Sequence, residues 1–178
     1  MKRRVLAIAV VMILCVTVGS FAAENKSSTI PWWVSYGGTD LGVGVGYAEN
    51  GFGASATFDL TFGQFDIGPI PFSWGGTLGA EAGFGLGVGF GVGAFVTLET
   101  GWDFGGIWRF EWRAGIGPAA AIDLGGYYSA GFGIGLGQYV SSTWWFTNNF
   151  GLTVQEMYAY TFFGPNLYSY SIGVELKL

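Results

Sequence analysis

Arg109, Glu111 and Arg113 alternate with Phe110 and Trp112, a spacing that sets a cation, a carboxylate and a second cation on one face of an extended chain. Carboxylates at Glu81, Glu99, Asp59 and Asp123 share the same odd parity in other alternating segments. Charges withdrawn from water need partners, so these residues read as an Arg–carboxylate ladder crossing an interior. The same residues could form a gate or solute-binding pair centred on Arg109 and Arg113. Catalysis finds little footing. The chain has no histidine, which removes Ser-His triads, histidine acid–base chemistry and most zinc sites. Its G-x-G runs never complete G-x-G-x-x-G, and no lysine follows them as a P-loop requires. Nothing fixes the separation that paired glycosidase carboxylates need. The expectation is a protein without enzymatic activity, cofactor or metal.

The elements that position these charges are read best from Leu78 to Leu98. Every even residue there is apolar, whereas the odd positions from Gly79 to Thr97 hold seven glycines, Glu81, Phe95 and Thr97. That is period two, the mark of a strand with unlike faces. A helix would suffer from the glycines, at about 0.8–1 kcal/mol each relative to alanine. A soluble sheet turns its bulky face inward. Here the chain is poor in charge and the bulky face recurs along most of its length, which fits a face turned into lipid. The stretch is about twice the 9–11 residues of one tilted crossing. It divides into strands Leu78–Leu86 and Phe90–Leu98, with a turn near Gly87-Val88-Gly89.

Lys2, Arg3 and Arg4, the apolar run Val5–Val18 and the small-x-small site Ser20-Phe21-Ala22 read as a cleavable signal peptide over residues 1–22. Residues 23–35 form a lead carrying Trp32 and Trp33, which suit a membrane interface. The barrel is expected over 36–178. Cys15, the one cysteine, leaves with the signal, so no disulfide is expected. Four basic residues then face twelve acidic ones, a net charge of −8, and nucleic acid is excluded as a partner. Strands are expected at Tyr36–Tyr47, Phe52–Phe62, Ile107–Ile116, Phe150–Phe162 and Tyr168–Leu178 besides the glycine-rich pair. Gly63–Gly76, with Pro69 and Pro71, reads as the longest early connection. Gly117-Pro118 reads as a strand end, and Tyr139–Asn149 as a connection bearing Trp144, Trp145 and Phe146. Between Ala119 and Gln138, Gly125-Gly126 is a turn or a kink, so the count is eight strands, or ten if that stretch holds two. Glu156 faces lipid on this parity, which demands either a bulge or another register.

The last strand sets Tyr168, Tyr170, Ile172, Val174, Leu176 and Leu178 on one face and Ser169, Ser171, Gly173, Glu175 and Lys177 on the other. Its Ser171-x-Gly173-x-x-Leu176-x-Leu178 pattern resembles the signal that the barrel-assembly machinery reads, with Leu178 where a terminal Phe is usual. By architecture and this motif the chain resembles the small bacterial outer-membrane β-barrels of the OmpA/OmpX/OmpW type. The resemblance implies an all-β, transmembrane, antiparallel up-and-down barrel in outer-membrane lipid, most simply eight-stranded, inserted by that machinery. Barrel enzymes of this kind use histidine with Ser or Asp, a form unavailable here. With both termini periplasmic, the expected short turns fall outside and the long links inside, the reverse of the usual pattern. Inward glycines at 42, 44, 46, 83, 85, 87, 89, 91 and 93 predict an empty lumen sector and hence a narrow conduit for small or apolar solutes. A closed structural or surface-interaction barrel is the alternative, and a secreted glycine-rich fibre a more distant one.

Overall fold

The computed structural model describes residues 39–48, 51–68, 70–85, 87–104, 109–125 and 130–178. The signal peptide, the lead and the first residues expected in strand one lie outside them. Eight strands follow in order: β1 (Thr39–Ala48), β2 (Gly51–Ile67), β3 (Ile70–Gly85), β4 (Val88–Asp103), β5 (Arg109–Asp123), β6 (Gly131–Trp145), β7 (Phe150–Thr161) and β8 (Leu167–Lys177). Each pairs antiparallel with its neighbours, and β1 pairs with β8, closing the ring. Outward residues are odd in β1 and even from β2 to β8 almost throughout, apart from the end of β2 beyond its bulge, so alternation in the sequence becomes an apolar exterior and a lumen of small, polar and charged groups. Following registered partners from Thr39 through Leu60, Gly76, Val96, Ile116, Gln138, Tyr158 and Tyr168 returns to β1 just beyond Ala48. Eight strands with that stagger enclose an interior narrow enough for side chains to fill.

Several expectations change. Gly63–Gly76 is not a connection: β2 and β3 run through it and pair to Ile67↔Ile70, with a bulge between Thr61 and Gly63. Pro71 is tolerated because β3 begins to pair with β4 only at Ser73, so its missing N–H faces no ladder partner. Gly117-Pro118 does not end β5, which continues to Asp123. The β4–β5 ladder has no pair between Gly93↔Ala119 and Val96↔Ile116, and the proline occupies that gap. The strand expected between Ala119 and Gln138 is the end of one and the start of another, with Gly125 (φ +105°) in the turn between them. Tyr139–Asn149 is mostly β6, and only its last residues turn. The Gly87-Val88-Gly89 turn lies two residues earlier, since Phe84 pairs with Val88. No register change rescues Glu156, which sits in unbroken ladders opposite Val140 and Tyr170. The apparent reversal of long and short loops disappears because the long links are strand.

Candidate functional site

Arg113, fifth residue of β5, reaches across the lumen at the end where β1 begins and β8 ends. Its Nη2 donates to Glu111 Oε1 (2.8 Å) and Asp40 Oδ2 (3.1 Å), and its Nη1 donates to Glu175 Oε1 (3.1 Å). Asp59 Oδ2 and Glu99 Oε1 complete the shell at 2.9 and 3.5 Å as ion pairs. Five carboxylates from β1, β2, β4, β5 and β8 thus converge on one guanidinium that is 2% exposed. The planar fork serves this role because its two terminal nitrogens present several donors in fixed directions. Lys177 supplies the second cation, 3.2 Å from Glu111 Oε2 and 4.4 Å above the Trp145 ring. Neutral donors finish the outer contacts: Trp145 Nε1 to Glu111, Ser73 Oγ to Glu99, Thr77 to Asp59 and Thr143 to Glu175. Oxygens of Asp40, Glu99 and Glu111 approach one another closely enough for a metal site. Arg113 Nη2 lies against all three residues, so a cation of the chain already occupies that position.

The expected ladder therefore divides. Arg113, Glu111, Glu99 and Asp59 come together. Arg109 does not join them. As the first residue of β5 it stands at the rim, paired with Asp103 at 3.2 Å and bonded to Asn148. Glu81 and Asp123 lie toward the opposite end of the barrel. Glu81 rests over Gly91 beside Leu167, and Asp123 Oδ1 accepts the N–H of Gly125 in the β5–β6 turn. Sequence reasoning missed Asp40, Glu175 and Lys177 as members, although their inward parity was visible. Trp145 was missed because its segment read as a connection.

Beyond the charge cluster the lumen is not empty. Phe95, Tyr139 and Met157 form a buried apolar cluster, with the two rings stacked at 5.9 Å. The inward glycines make room for this layer. A Cβ on Gly93 would lie 2.2 Å from Phe95 Cζ, and one on Gly79 would lie 2.7 Å from Met157 Sδ. Beside it Gln155 Nε2 donates to Ser55 Oγ (2.6 Å), which lies 2.7 Å from Ser171 Oγ. Toward the far end Ala119, Ala121, Ala159 and Leu167 form a second apolar cluster. At Gly42, Gly44, Gly91 and Gly93 the space expected to be empty is thus taken up by side chains of Thr57, Gln155, Glu81, Leu167 and Phe95.

A closed eight-stranded ring with an apolar exterior and a charged, packed lumen has the fold of the small outer-membrane β-barrels. No family model matches the chain, and no curated protein does. Solved structures do. The outer membrane enzyme PagL aligns with a TM-score of 0.55 at 15% identity, over 78% of this chain and 99% of its own. The N-terminal β-barrel domain of Pseudomonas aeruginosa OprF aligns at 0.50 and 11% identity, over 80% and 98%. Neisserial surface protein A aligns at 0.45 and 17% identity, over 79% and 95%. These likenesses concern the fold. They also correct one expectation: since PagL is an enzyme on the same architecture, this barrel fold does not establish a protein without enzymatic activity.

Proposed function

We propose that the chain is an integral outer-membrane protein with a closed lumen, acting as a structural or surface-interaction barrel and not as a conduit. The observation that carries this reading is the Phe95–Tyr139–Met157 layer, buried across the lumen next to the Arg113 cluster. A path for ions would have to displace both an apolar plug and a network of buried ion pairs, in a barrel whose stagger leaves no spare width. Outer-membrane residence rests on the apolar exterior, with Val43, Val45, Leu78, Val96, Ile116 and Ile172 exposed on the outward face. In this reading residues 1–22 direct export and are removed, residues 36–178 form the barrel, and Ser171, Gly173, Leu176 and Leu178 mark β8 for the barrel-assembly machinery.

Planar-bilayer recordings of refolded protein test the closed lumen. Wild-type protein is expected to be silent, whereas Phe95→Ala, which removes the ring lying on Gly93, is expected to give discrete openings. Regular openings from correctly folded wild-type protein would overturn the proposal and restore the conduit.

A further inference from the structure

The lipid-facing surface is chemically lopsided. On β1 to β5 the outward positions, odd in Leu41–Val45 and even in Phe52–Phe62, Leu78–Phe84, Phe90–Leu98 and Phe110–Ile122, carry no polar side chain apart from the indole N–H of Trp112, and Tyr47 adds a hydroxyl only beside the β1–β2 turn. On β6 to β8 the outward residues include Gln138, Ser142, Glu156, Tyr158, Tyr168 and Tyr170. Gln138 and Glu156 are not rim residues. Gln138 is six positions from both Phe132 and Trp144 on β6, and Glu156 is six from both Phe150 and Phe162 on β7. Both stand at mid-depth between the aromatic ends of their own strands.

The registers make the polar residues one row. Gln138 pairs with Tyr158, Val140 with Glu156, and Glu156 with Tyr170. Gln138 is therefore the diagonal neighbour of Glu156, within reach of a long side chain. Gln138 is exposed, Tyr170 is 42% exposed and Glu156 is half-buried. Glu156 also interacts within its own chain, yet an amide, hydroxyls and a carboxyl still face a zone whose acyl chains cannot accept or donate hydrogen bonds.

We infer that the β6–β8 face is a membrane-embedded interface with a second copy of this chain. The row holds a carboxyl acceptor beside amide and hydroxyl donors, so it is complementary to itself. A two-fold axis near Val140 would set Glu156 of each copy against Gln138 and Tyr170 of the other, the reciprocal arrangement of an isologous dimer. Each copy then covers the polar mid-depth atoms of the other, which acyl chains cannot do. The apolar β1–β5 face remains toward lipid.

Cysteine cross-linking reads this without disturbing the row, since the sequence from Ala23 onward contains no thiol. Val140→Cys, with Val154→Cys as a second reporter, is compared with Leu78→Cys on the opposite side of the barrel. Each purified protein is reconstituted alone in phospholipid vesicles at low density, checked for heat-modifiable migration and oxidised. The interface predicts covalent dimers from Val140→Cys or Val154→Cys and not from Leu78→Cys. Adding Gln138→Leu and Glu156→Leu should lower that yield by roughly tenfold, the scale of one or two membrane hydrogen bonds. No dimer from either reporter, equal dimer from Leu78→Cys, or a yield indifferent to the two leucines would overturn the inference. In the first case the row faces lipid or another protein.

Discussion

Replacing Arg113 by methionine keeps most of the stem volume and deletes the charge on which five carboxylates converge. Asp40, Asp59, Glu99, Glu111 and Glu175 would then face Lys177 as the remaining cation of the cluster. Removing one partner of a buried pair costs about 3–5 kcal/mol because the other charge stays desolvated and unmatched. Several such contacts are lost together here, so the upper part of that range is expected. Arg109→Met is the internal comparison. Its partner Asp103 is a third exposed and the pair sits at the rim, so its loss should cost about 0–1 kcal/mol. Arg113→Lys should recover only part of the difference. One ammonium cannot replace a fork whose Nη1 meets Asp59 and Glu175 while Nη2 meets Asp40, Glu99 and Glu111. Urea unfolding of refolded protein in lipid vesicles, followed by tryptophan fluorescence, measures all three. If Arg113→Met fell within about 1 kcal/mol of Arg109→Met, the cluster would be solvated and not a buried network.

The closed lumen and the dimer face carry their own tests, and two further expectations follow from the glycines. Gly93→Val should destabilise the barrel by about 1–3 kcal/mol through overpacking against Phe95. Combining it with Phe95→Ala should cost less than the two changes added separately, and simple additivity in the same unfolding assay would refute the proposed fit. Gly173→Val should block closure, because a Cβ there would lie 1.9 Å from the Val43 carbonyl oxygen across the β1–β8 seam, where no side chain can yield. Loss of heat-modifiable migration is the expected readout, and normal folding of Gly173→Val would show that the seam is not that tight.

How much of this was legible depends on which atoms carried the information. Parity was legible, because an apolar solvent outside imposes a bulky residue at every second position wherever a strand crosses it. Leu78–Leu98 and Tyr168–Leu178 therefore read cleanly, while the stretch from Ala119 to Gln138 left eight or ten strands open and the structure has eight. Strand ends were not. Outside the hydrocarbon the alternation no longer has to hold, and Gly63–Gly76 and Tyr139–Trp145 carry prolines, glycines and paired tryptophans that look like loops while their backbones continue the ladder. Pro71 and Pro118 mislead for the same reason. A proline ends a strand only if its missing N–H would face a partner, and that depends on the neighbouring strand's register.

The lumen was the hardest part to read, and glycine is why. A run of inward glycines states that no side chain starts there, not that none arrives. Phe95 stands two residues from Gly93 on the same face, and its ring returns over that glycine and reaches toward Gly79 and Gly137 from neighbouring and more distant strands. Meeting those partners requires closure of the sheet, a property of the whole ring and of no local segment. The charge cluster shows the same dependence. Arg109 and Arg113 are equivalent in type and parity, yet one turns to the rim and the other gathers carboxylates from five strands, because Arg109 is the first residue of β5 and Arg113 stands four residues deeper in the barrel. Depth along a strand, set by stagger, decides which inward charges become a network. Glu156 is the outward counterpart. Its parity was read correctly and its depth was not known, and only the unbroken ladders to Val140 and Tyr170 turn an apparent register error into an outward polar row at mid-depth.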